Sequence, residues 1–103
     1  MLGNGEDLRN LREIMATLNW SMRSIKELKK DVPASQRKKI VSMVAELADF
    51  PHVRPNLDIK PLSGASGRYR MRVGEYRVLF IVVKGTPIIL TIEHVLRRTS
   101  KTY

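Results

Sequence analysis

The stretch Arg68 to Val83, read RYRMRVGEYRVLFIVV, constrains this chain more than any other. In its first half Arg68, Arg70 and Arg72 fall on one parity, and Tyr69, Met71 and Val73 on the other. A period of two is the mark of a strand with one face buried. Gly74-Glu75 interrupts, and a second strand runs from Tyr76. A two-residue loop with glycine first suits a type II′ hairpin turn. That turn pairs Val73 with Tyr76, Arg72 with Arg77 and Met71 with Val78. On this register Tyr69, Met71, Val73, Tyr76, Val78 and Phe80 share one face, and Arg68, Arg70, Arg72 and Arg77 share the other. The first face is a core. Four guanidinium groups cannot be buried together without anions, so the second face is expected to hold phosphate.

The remaining elements arrange themselves around this hairpin. Leu8, Leu11, Met15 and Leu18 make an apolar stripe at helical spacing, so a helix is expected from Glu6 to about Leu18. Thr17 to Met22 fits three readings: a continuation of that helix, a linker, or a short strand carrying Trp20. Ser24 to Lys30 reads as helix, and Val32-Pro33 ends it. A further helix is expected over Ala34 to Ala48, with Ile40, Val44 and Leu47 on its apolar side. Arg37, Lys38 and Lys39 then sit at the positive end of its dipole, an unfavourable placement. Either a partner-facing role or a merely solvated face accounts for them. Leu57 to Leu62 forms a short strand that Pro61 confines to an edge. Lys84 to Pro87 is a second turn, and Ile88 to Leu96 a final strand. If Val83 pairs with Ile88, then Leu79 meets Ile92 and Arg77 meets His94, so that His94 joins Arg72 and Arg77 in one row. Helices followed by three or four antiparallel strands make an α+β fold, with the N-terminal helices packed on one face of a small antiparallel sheet.

A chain of 103 residues is expected to be one domain. It has no cysteine, so disulfides and thiolate metal sites are excluded, in keeping with a cytoplasmic location. No apolar run reaches the ~20 residues of a membrane span, and no signal peptide is expected at the N-terminus, where Glu6 and Asp7 lie. The formal net charge is +9. Residues 1–59 carry ten Lys/Arg against eight Asp/Glu, whereas residues 60–103 carry nine against two. The excess therefore lies on the strand-rich half. It points to a polyanion, most simply nucleic acid, or to a basic surface without such a partner.

The residue types narrow the chemistry. His52 and His94 have no metal-ligand spacing. No G-x-S-x-G elbow is present, and Gly64 and Gly67 precede a strand rather than a helix, so they do not form a phosphate-cradling loop. Arg, Lys, Tyr and His remain. That set can cleave RNA without a metal or cofactor, because RNA supplies its own nucleophile, the 2′-hydroxyl. Arginines stabilise charge on the phosphorane. A tyrosine becomes a base when nearby guanidinium charges lower its pKa from about 10, and Tyr103 follows Arg97 and Arg98 closely. A solvated arginine face with no catalytic role is the competing reading.

The run KPLSG, four residues, YRMRVGEYRVLFIV, then a last strand and RRTSKTY, resembles the RelE/ParE superfamily of bacterial toxins. The likeness covers about residues 20–103, leaving 1–19 as an additional N-terminal helix. It implies two helices against an antiparallel sheet and a cognate antitoxin as partner. In the RelE branch, which cuts mRNA in the ribosomal A site against 16S rRNA, two strand residues contact the phosphate; they match Arg70 and Arg72. The arginine after the turn matches Arg77. The late arginine, a general acid, matches Arg97, with Arg98 close enough to be its equivalent, and the late tyrosine, a base, matches Tyr103. Lys60, Arg68, His94, Arg98 and Lys101 are the further groups expected to hold RNA. The filled basic set favours RelE over the ParE branch, which inhibits DNA gyrase without it. A non-catalytic RNA-binding module is the remaining alternative.

Overall fold

The structure is a computed structural model that describes residues 15–64 and 66–98. Strand β1 (Thr17–Trp20) is followed by helices α1 (Met22–Asp31) and α2 (Ala34–Ala45) and a 3-10 turn, Glu46–Asp49. Strands β2 (Ile59–Pro61), β3 (Arg68–Val73), β4 (Tyr76–Val83) and β5 (Ile89–Arg97) complete it. They form one five-stranded sheet in the order β1-β5-β4-β3-β2. The α+β class holds, with one addition. Thr17–Trp20 is a strand, and it pairs parallel to β5. Leu18 therefore meets the core from β1, which corrects the expectation that the first helix runs to Leu18. The remainder of that helix lies outside the described residues.

The β3–β4 register is the one expected: Val73 opposite Tyr76, Arg72 opposite Arg77, Met71 opposite Val78. Gly74 has φ +57, and among the described residues no non-glycine residue has positive φ, so Glu75 takes the ordinary side of the map. Positive φ at the first loop position alone is the type II′ pattern rather than type I′. At the other end of the hairpin Gly67 has φ +79, and a Cβ there would lie 2.9 Å from the Val82 carbonyl oxygen. Only glycine fits where Val82 N–H donates to the Gly67 carbonyl at 2.8 Å.

The β4–β5 register corrects the sequence expectation. Val83 pairs with Ile89 and Phe80 with Ile92, after which a bulge between Leu79 and Phe80 places Leu79 opposite His94 and Arg77 opposite Leu96. The extra residue on β5 is Glu93. A bulge turns two successive side chains to one side and reverses the alternation beyond it. Burial follows suit: Leu90 and Ile92 are buried, Glu93 and His94 both half-buried, and Val95 buried.

The core lies between the sheet and the helices. Ile40 and Val44 of α2 and Val32 after α1 join Met71, Val73, Tyr76, Val78, Phe80, Leu90, Ile92 and Val95. Phe50, Tyr69 and Phe80 cluster at one end, with ring centroids 5.3–5.9 Å apart: Tyr69 stacks on Phe80 and Phe50 meets both edge-on. Ser21 starts α1: its Oγ accepts Ser24 N–H at 3.0 Å and donates to the Glu93 carbonyl at 3.1 Å, tying the helix start to the bulge. Arg37 closes the other end of α1. Its Nε donates to the Val32 carbonyl at 3.0 Å and its Nη2 to that of Lys29 at 3.2 Å. A cation at the start of α2 thus serves the carbonyl end of α1, where positive charge is favourable. That contact accounts for Arg37 without a partner.

Candidate active site

Alternation along β3 carries Arg68, Arg70 and Arg72 to the sheet face opposite the helices, and the II′ register adds Arg77. The face is not uniform. Arg70 is only 8% exposed. Its Nη1 donates to Asp58 Oδ1 at 2.9 Å and reaches the Asp58 carbonyl at 3.3 Å. Arg72 is less covered; its Nη1 lies 3.9 Å from Asp58 Oδ2, while its Nε is buried without a hydrogen bond. Arg68 Nε reaches across β4 to Glu93 at 3.2 Å. Lys60 stands opposite Arg70 on β2.

The charges converge. The Arg72 guanidinium holds its proton less tightly than an ordinary arginine, first because of Arg70, then burial and Arg98; Arg77 adds to the effect and Asp58 opposes it. Asp58 shows the complement. The hydrogen bond from Arg70 draws its carboxyl below the usual aspartate range, and the charges of Arg70, Arg72 and Lys60 act the same way against the opposing pull of burial. One carboxylate facing several cations leaves a net positive patch able to receive a second anion.

The late residues divide. Arg97 pairs with Tyr76, a core-side position, and points away from the cluster: it is 64% exposed in its side chain, 3.8 Å from Glu75. Arg98 is the late arginine whose charge is felt at Arg72. His94 does not join the Arg72–Arg77 row, as its expected pairing required. It sits opposite Leu79, level with Arg70, because the turn and the bulge each shift the register. Tyr103 and Lys101 lie outside the described residues. Among the described residues no group of three or more His, Cys, Asp or Glu side chains is arranged to hold a metal ion.

Two participants escaped the sequence reading. Asp58 had a signal: Lys60 pairs with Arg70 and Ile59 with Met71, so Asp58 shares the parity of the arginines, and Arg72 N–H donates to its carbonyl at 3.0 Å. Registering the edge strand against β3 would have found it. Glu27 of α1 had none. Its Oε2 lies 3.3 Å from His94 Nδ1, and its Oε1 accepts Val95 N–H at 3.0 Å, across 67 and 68 residues of chain.

No protein-family model matches the chain. RelE1, a candidate toxin of Methanocaldococcus jannaschii, is 37% identical over 68 residues, 66% of this chain and 74% of that protein. The RelB-RelE antitoxin-toxin complex of Methanococcus jannaschii superposes with TM-score 0.60 and 34% identity, over 78% of this chain and 89% of that one. The archaeal RelE-RelB complex of Pyrococcus horikoshii OT3 superposes with TM-score 0.70 and 22% identity, over 84% and 98%. The YoeB/ParE toxin of Agrobacterium tumefaciens does so with TM-score 0.64 and 20% identity, over 81% and 99%. The last two, at their low identity, speak for the fold. With 37% identity across 74% of RelE1, the chain belongs to the RelE family of toxins.

Proposed function

We propose that this protein is the toxin of a RelBE-type pair and an endoribonuclease that cleaves mRNA on the ribosome without a metal ion, thereby inhibiting translation in the cytoplasm. The carrying observation is the crowding of charge at Arg72 by Arg70, Arg98 and Arg77 on a face that no described helix covers. Arginines held in place before reaction stabilise charge that develops on phosphorus. Arg72 and Arg77 are the phosphate clamp. Arg70, tied to Asp58, sets the field and the position of its neighbours. Arg98 rather than Arg97 serves as the late arginine, since its charge reaches the cluster. Lys60, Arg68 and Lys101 extend the surface for the RNA backbone, and Tyr103 is the base for the 2′-hydroxyl.

The relatives crystallised with RelB support a cognate antitoxin as partner. It would neutralise the arginine face with acidic side chains. A purified translation reaction followed by primer extension tests the function. Message cut within the A-site codon, lost on adding the antitoxin, is the expected result. Intact message together with blocked DNA supercoiling would replace this reading by gyrase inhibition.

A further inference from the structure

The following rests on the reading that this face cleaves RNA. Histidine is the residue type that exchanges a proton near neutrality, and His94 is the described histidine on the arginine face. The bulge puts it there. Glu27 grips it from the sheet edge: one carboxylate oxygen is on His94 Nδ1 and the other on the next backbone N–H, that of Val95. Two contacts to successive residues of β5 fix carboxylate and ring against each other. The Glu27 side chain is 17% exposed and that of His94 31%, so the ring is held at one nitrogen and still reached by solvent. A carboxylate on Nδ1 fixes the tautomer and leaves Nε2 to exchange the proton. Leu79 stands opposite His94, and Arg77 is its diagonal neighbour on β4. Such positions lie roughly 7–8 Å apart, within joint reach of one phosphate. Glu93, the adjacent acid, is engaged by Arg68.

We propose that His94 is the general acid of this site and that Glu27 is its positioning residue. The 2′-oxygen bonds to phosphorus and its proton passes to the base. The bond from phosphorus to the 5′-oxygen breaks, and His94 Nε2–H gives its proton to that oxygen. A 2′,3′-cyclic phosphate and a 5′-hydroxyl result, and His94 regains its proton from water. An arginine suits this step less well, because a guanidinium gives up its proton far less readily than an imidazolium; Arg98 then stabilises charge at the phosphate, and Arg97 lies on the other side of the sheet.

The test uses ribosome-bound message in two forms: ordinary RNA, and RNA with a 5′-bridging sulfur at the cut site, whose thiolate leaves without a proton. On ordinary RNA, His94→Gln should slow cleavage on the order of 10²–10⁴-fold, the usual weight of general acid–base catalysis. On the sulfur substrate it should run within about tenfold of wild type, since the proton is no longer needed. Glu27→Gln keeps an acceptor for Val95 N–H and should show a smaller loss with the same rescue. Free imidazole should partly restore His94→Ala. An equal loss on both substrates, or wild-type rates for His94→Gln on ordinary RNA, overturns the proposal and leaves the nuclease reading standing. A wild-type protein that cuts neither substrate overturns both. Circular dichroism and thermal melting verify folding; if His94→Gln does not fold, Glu27→Gln decides in the same comparison.

Discussion

Strand β4 pairs with its two neighbours under different rules. Toward β3 the ladder runs without interruption from Arg68–Ile81 to Val73–Tyr76. Toward β5 it changes step between Leu79 and Phe80. The regular side keeps one charge type on one face, and three arginines of β3 stand together. The bulged side mixes chemistry. Glu93 and His94 are both delivered to the arginine face, and Arg97, which unbroken alternation from the buried Ile92 would have set on the same face as Arg77, ends on the helix side instead. One inserted residue therefore decides which late groups can take part. In the proposed reaction the ladder that repeats carries the phosphate clamp, and the ladder that breaks carries the imidazole and the late arginine.

Phe80 stands at the step and serves both pairings. It is fully buried against Phe50 and Tyr69. Phe80→Ala should cost about 3–5 kcal/mol, as for large buried aromatics, measured by urea unfolding. A small effect would mean that the two ladders are stabilised independently.

On the regular side, Arg72 and Arg70 should separate. Arg72→Ala should lower cleavage on the order of 10²–10³-fold, comparable to losing one oxyanion donor, with no loss of melting temperature. Arg70→Met should instead cost about 1–3 kcal/mol, the range for losing a hydrogen bond between charged groups. Equal effects on folding and cleavage at both positions would remove the distinction between clamp and support.

On the bulged side, Arg98→Ala should reduce cleavage about tenfold, a typical charge-assisted contribution, whereas Arg97→Ala should fall within about threefold of wild type, since its partner is an exposed carboxylate. The reverse order would place the late arginine where unbroken alternation puts it.

The smallest effect is on pH. Asp58 has its folded pKa drawn below the ordinary 3.8 by Arg70. Its contribution is complete above the unfolded value and is lost as pH falls from about 4 through the folded value. Asp58→Asn should flatten that part of the acid unfolding curve and leave stability at pH 7 less changed than Arg70→Met does. An acid limb identical to wild type would show that the pair does not couple to folding.

Local pattern on the chain determined the β3–β4 hairpin, its turn, its register and the arginine face, because each rests on neighbours within about 16 residues and on a period that a one-step slip would invert. The positions of Asp58, Arg37, Arg98, His94 and Glu27 were decided by tertiary structure. Asp58 depends on where an edge strand docks, and Arg37 on how two helices meet. Glu27 meets His94 only after β1 and β5 have paired in parallel and Ser21 has set the start of α1. The bulge at Glu93 shows in residues 89–97 only as the adjacent polar pair Glu93-His94, and the following Val95 and Leu96, both apolar, leave the parity beyond it open. It arises because Val95 and Val78 must both enter the core while Ile92 and Phe80 already do, and burying those four side chains outweighs the ladder bonds that the extra residue gives up.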